Sequence, residues 1–167
     1  MLREKDPPHR IALGAALGAL VGMMPIMGIQ MITVAALALP LRANLKASLI
    51  GVWISNPVTF LPMYYGSYRF GLLIVDGKKR NQEMFARILE TAADWDWGDA
   101  LNSLFRLFDL GTDVLVPLWL GSIILGTALA VPTYALTYRA VVKYRERVAK
   151  RKARKKQSED ASLRRRT

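Results

Sequence analysis

Few side chains in this 167-residue sequence are equipped for chemistry. There is no cysteine, which excludes thiolate catalysis, a disulfide framework and any Cys-based metal site. The one histidine, His9, stands in a polar leader and reads as a surface residue, so a His-based metal cluster is excluded as well. The apolar part holds no Ser/His/Asp set, no paired carboxylates and no phosphate-binding loop. Asp94, Asp96 and Asp99, interleaved with Trp95 and Trp97, could hold a cation or a saccharide. Acids at helix starts are ordinary caps, and that is the reading taken here. The expectation is therefore a protein that is not an enzyme, with no catalytic residue, no metal and no cofactor.

What remains is polar chemistry inside apolar segments. Pro25 lacks an N–H and Gly28 is costly in a helix, so Pro25-x-x-Gly28 should open the backbone, with Gln30 following at once. Freed carbonyls and N–H groups at membrane depth must be satisfied by protein, water or a ligand. A second opening is expected at Trp53-Ile54-Ser55-Asn56-Pro57-Val58-Thr59, because a residue before proline is biased away from helix. Pro62, Tyr64 and Tyr65 follow, then Arg69, which either snorkels to the interface or faces a cavity to hold an anion. The ligand-binding candidates are Pro25, Gly28, Gln30, Asn44, Asn56, Pro57 and Arg69, with Arg42 and Asn44 read as interfacial. Gly14, Gly18 and Gly22 recur every fourth residue and present a face for close helix packing, either within the bundle or between copies of the chain.

These residues lie in three long apolar runs. Residues 11–41 carry no charge and would measure about 46 Å as one helix, more than a hydrocarbon core of roughly 30 Å. Each half is too short to cross alone, so the run is a kinked helix or a re-entrant hairpin. Residues 47–75 carry one charge, Arg69; residues 114–138 carry none and are long enough to span once. Pro117 falls near the start of the third run, and Pro132 predicts a kink near its end. The triplet Ala36-Leu37-Ala38 has the form of a signal cleavage site, but the apolar region before it is too long and is interrupted by Pro25, so it reads as membrane helix.

Charge is segregated along the chain. Hydrophobic residues make up 52% and mean hydropathy is positive despite a net charge of +11. Residues 139–167 hold 13 Lys/Arg against Glu146, Glu159 and Asp160, so nearly all of the excess sits in a basic tail. That tail places its end in the cytoplasm and would bind anionic lipid. Nucleic-acid binding is disfavoured, since the tail adjoins the membrane and carries no aromatic platform beyond Tyr144. Between the second and third runs, residues 81–110 read as two amphipathic helices lying on the membrane or capping the bundle, with Met84, Phe85, Ile88, Leu89 and Ala92 on one face of the first. The predicted class is all-α: a polytopic helical membrane domain over 1–138 with Pro/Gly-broken helices, then a basic cytoplasmic tail over 139–167. With both termini inside, one of the first two runs must be a hairpin. The first is favoured, since it keeps Arg42 and Lys46 inside.

The string Pro8-x-x-Ile11-Ala12-x-Gly14-x-Ala16-x-Gly18-x-x-x-Gly22-x-x-Pro25-x-x-Gly28-x-Gln30, then Leu41-Arg42-x-Asn44, then Trp53-Ile54-x-Asn56-Pro57-x-Thr59 with Pro62 and Tyr64, resembles the bacterial membrane proteins grouped as domain of unknown function 2062. The resemblance runs from about Pro8 to Gly71 and more loosely from Gly121 to Tyr144. It implies a small integral protein of the bacterial inner membrane without an established activity; relatives beside glycosyltransferase domains point faintly to the cell envelope. Two functions compete: binding or transport of a small solute, ion or lipid between the two breaks, and a membrane scaffold, either of them homo-oligomeric or not. Loss of function on truncation after Tyr144, with normal insertion, would favour the scaffold.

Overall fold

A computed structural model describes residues 6–26, 28–56, 59–75 and 112–164. The predicted amphipathic helices, the Asp94/Asp96/Asp99 cluster and Pro57 lie outside the described residues. Among those described there are five helices and no strand: α1 (Pro8–Met23), α2 (Gln30–Ala38), α3 (Leu45–Val52), α4 (Phe60–Val75) and α5 (Thr112–Arg164). The all-α class is as expected. Both early apolar runs are divided, the first after Met23 and the second after Val52.

Local sequence explains most boundaries. Pro8 occupies the first position of α1, where its missing N–H costs nothing. Asn44 caps α3, its Oδ1 accepting from the Ala47 N–H at 2.8 Å. After α2 the chain closes in a Schellman turn, with the Ala43 N–H donating to Ala38 O and the Arg42 N–H to Leu39 O. Arg42 holds the left-handed position that glycine usually fills, at φ 52°.

The topology follows from three sets of contacts. The Asn44 N–H donates to Arg10 O at 2.9 Å, so α1 and α2 form a hairpin that brings the chain back to its starting end. From there α3 runs parallel to α1. A Cβ on Gly14 would lie 2.9 Å from Ala47 Cβ, one on Gly18 2.6 Å from Gly51 Cα, and one on Gly22 2.9 Å from Ile54 Cγ2. The glycine face is thus turned to α3 of the same chain. α5 runs antiparallel to both: Gly126 meets Leu20 and Met23, Val141 packs with Ile11 and Ala47, and an Arg145 Nη2 donates to Asp6 O at 2.6 Å.

The N-terminal part of α5 packs on α4 instead. Gly71 meets the Pro117 backbone and Gly121 the Ser67 carbonyl, too close in both places for any side chain. Since Gly126 is already level with the end of α1, α4 extends beyond that end along the same α5. α3 and α4 therefore stand in tandem beside α5, with the second break between them. α5 continues unbroken through Pro117 and Pro132 and on into the basic stretch, which is rich in the strong helix formers Arg, Lys and Ala. Over Val114–Lys155 it is, among the described residues, the one helix long and apolar enough to cross a membrane.

Candidate functional site

The first break is built from Met24 to Ile29. Met24 is extended, and its N–H still reaches Val21 O at 3.1 Å. Around buried Pro25 the Ile26 N–H turns back to Met24 O at 2.8 Å. Gly28 has φ 91°, a conformation that L side chains rarely adopt, which is why glycine stands there. The Ile29 N–H closes on Ile26 O at 3.2 Å, and Gln30 begins α2.

At the second break α3 unwinds through short turns, in which the Trp53 N–H donates to Ile50 O and the Ser55 N–H to Val52 O. Asn56 and Thr59 then exchange two bonds: the Asn56 N–H donates to Thr59 Oγ1 at 3.0 Å, and the Thr59 N–H to Asn56 Oδ1 at 3.1 Å. This is the reciprocal geometry of a capping box just ahead of α4. The Thr59 hydroxyl also donates to Ile54 O at 2.8 Å.

Two hydrogen bonds join the breaks. The Ser55 hydroxyl donates to Gln30 Oε1 at 3.1 Å, sharing its proton with Val52 O, also at 3.1 Å. The Tyr64 hydroxyl, from α4, donates to Met24 O at 3.0 Å. Gln30, Ser55 and Tyr64 are all buried. Beneath them Val21, Ile26, Val34 and Val52 form one apolar cluster, with Met24, Ile29 and Trp119 packed against it. The starts of α2 and α4 and the ends of α1 and α3 converge here, so partial charges of both signs meet at one level.

Among the sequence candidates, Pro25, Gly28, Gln30 and Asn56 gather at this junction. Asn44 does not. It sits at the opposite end of α3, where its Nδ2 donates to Asp6 Oδ2 at 2.7 Å and its carbonyl accepts from the Ser48 hydroxyl. Arg69 is also elsewhere, exposed on α4 and stacked over Tyr65, with a bond to that hydroxyl at 3.3 Å. Ser55 and Tyr64 stood in the sequence strings without being singled out; what marks them is that each can donate one proton across a broken backbone. Among the described residues no group of three or more His, Asp or Glu is placed to hold a metal.

A family model described as an uncharacterized protein conserved in bacteria (DUF2062) matches residues 1–150. The chain belongs to that family. The matched region takes in both breaks and every contact described above, and it stops within the exposed basic part of α5. Comparisons with curated proteins and with solved structures returned no match.

Proposed function

We propose that this DUF2062 protein is a multi-pass protein of the bacterial inner membrane that binds or moves a small solute, ion or lipid at the junction of its two broken helices. The observation that carries this reading is the pair of hydrogen bonds joining the breaks, Ser55 to Gln30 and Tyr64 to Met24. Polar backbone opened inside an apolar bundle is tolerated where it lines a site, and half-helices meeting end to end are the arrangement that such sites use.

The bilayer can be located along α5. Tyr134 and Tyr138 stack at 6.1 Å, and the Tyr134 hydroxyl lies 2.7 Å from His9 Nδ1, an aromatic group suited to the headgroup level. A core of roughly 30 Å is about 20 residues of helix, which puts the other face near Val114–Leu118. Gly126, level with the junction, then falls close to the midplane. Large side chains such as Ile32, Leu73 and Leu136, each more than 65% exposed, face lipid in this placement. α1–α2 becomes a re-entrant hairpin, α3–α4 a discontinuous crossing and α5 the return. The Lys/Arg-rich end of α5 favours the cytoplasm for the Arg145 side.

The test is complementation of a deletion strain by Gln30→Leu and Ser55→Ala proteins. Loss of function with normal insertion is expected. Full complementation by both, from proteins shown to be folded, would sink the reading. Single cysteines at Ala43 and Val75, in a chain with no native cysteine, should label from opposite sides of the membrane, with Ala43 on the cytoplasmic side.

A further inference from the structure

The outer face of α3 is a charge set above an apolar strip. Lys46, Ile50 and Trp53 stand at i, i+4 and i+7, so they share one face, and all three are exposed. The turn ahead of α3 adds Arg42, exposed at its left-handed position, with Leu39 and Leu41 exposed just before it. A third cation, Arg10, belongs to the same corner, since its carbonyl accepts from the Asn44 N–H at 2.9 Å. The acid brought there, Asp6, accepts from Asn44 Nδ2 at 2.7 Å. Positive charge from two separate stretches of sequence thus outweighs negative at one end of the bundle.

Height decides what these charges can reach. Ala47 packs with Val141, which is about 4.5 Å along α5 from Tyr138, one of the stacked rings at the headgroup level. Lys46, and Arg42 in the turn that leads to it, therefore lie within about one Debye length, roughly 8 Å, of that level. Trp53 lies about 10 Å deeper than Lys46, beside the acyl chains. The basic stretch of α5 is placed differently. That helix runs unbroken to Arg164, so Lys150 stands about 18 Å beyond Tyr138, where the surface field of a membrane has decayed. We infer that the Arg42–Lys46 corner, and not the tail past Lys150, binds an anionic phospholipid of the cytoplasmic leaflet. Arg42 and Lys46 hold its phosphate, and its chains run along Leu41, Ile50 and Trp53. The inference uses the bilayer placement proposed above and no property of the junction.

Trp53 is positioned to report on this site. The full-length protein is reconstituted in phosphatidylcholine bilayers with increasing phosphatidylglycerol, one lipid at a time carrying brominated acyl chains. The quenching of tryptophan fluorescence that Trp53→Phe removes is followed. Phosphatidylglycerol should displace phosphatidylcholine beside Trp53 with a preference of about fivefold for each charge that reaches its headgroup. Arg42→Gln combined with Lys46→Gln, both at exposed positions, should bring the preference to about one. A chain ended after Lys150 should keep it. A wild-type preference of one overturns the site, and so does a preference that the truncation removes and the double substitution spares. Gln30→Leu should leave the preference unchanged. If Gln30→Leu abolishes it and the double substitution does not, the lipid sits at the junction and the corner is not its site. Failure of the corner is thereby separated from failure of the junction, which is read by complementation.

Discussion

Two residues hold left-handed backbone, and they differ in what they cost. Gly28, at φ 91°, adopts without penalty a conformation in which a side chain would crowd the following carbonyl. Gly28→Ala should therefore destabilise the folded protein by about 1–2 kcal/mol, read as a lower midpoint in denaturant-induced unfolding from detergent micelles. Arg42, at φ 52°, already carries that strain in its Schellman turn. Arg42→Gly should move the midpoint the other way, by up to about 1 kcal/mol. A variant that lowered it would mean that the Arg42 side chain holds something the backbone argument omits. The sequence made the first of these positions legible and not the second. Pro25-x-x-Gly28 announces a break because both residues are poor in helices, whereas an arginine in αL has no signature of its own. Asn44 stands apart from the junction for a reason that the sequence does not show either. In a short link an asparagine suits a cap as well as a ligand, and only the fold brings Asp6 to its Nδ2.

At the scale of the helices, the two tight crossings make opposite predictions for small changes. Along α1 and α3, a Cβ on Gly18 would strike the Ser48 carbonyl, and no rotamer of a longer side chain relieves a clash that begins at Cβ. Gly18→Val should separate the two helices and cost several kcal/mol, in the range of overpacked cores or above, and the protein should lose its sharp elution from a sizing column. The α4–α5 crossing carries a different burden. The hydroxyls of Ser67 and Ser122 are fully buried and, among the described residues, have no hydrogen-bond partner. Removing one such hydroxyl relieves an unmade bond, so Ser122→Ala should stabilise by about 1 kcal/mol; a loss of stability on thermal unfolding would show that Ser122 has a partner. Spacing alone identified the face of α1 that packs closely. It could not choose between another helix of the same chain and a second copy, because Gly14, Gly18 and Gly22 look the same in both cases. Nor could the sequence tell that Ser55, and not its more conspicuous neighbour Asn56, reaches Gln30: that depends on Asn56 being engaged by Thr59.

Over the whole molecule, α5 is the spine to which the other pieces are fastened, and the packing contacts and bonds described above that hold it fall between Pro117 and Arg145. Val141 packs with Ile11 and Ala47, and Arg145 reaches Asp6, which in turn holds the Asn44 cap of α3. One residue beyond Val141 thus ties the starts of α1 and α3 to α5, while the family match itself stops at residue 150. Past that point the side chains described are exposed. Two truncations should therefore behave differently. A chain ended after Lys150 keeps Arg139, Lys143, Arg145, Arg147 and Lys150, enough positive charge next to the apolar segment to hold its orientation. It should insert, elute and unfold as the full chain does. A chain ended after Ala140 loses the Val141 packing and the Arg145 bond together, leaving the Asp6 carbonyl and the apolar surface of Ile11 uncovered. Burying a residue of this kind is worth about 1.5–3 kcal/mol, and a hydrogen bond from a charged donor a comparable amount, so its unfolding midpoint should fall clearly below that of the longer truncation. Equal midpoints for the two would place the fastening of α5 above residue 140, on the Gly126 and Gly121 contacts alone. The Asp6–Asn44–Arg145 knot would then be a consequence of the fold and not one of its causes.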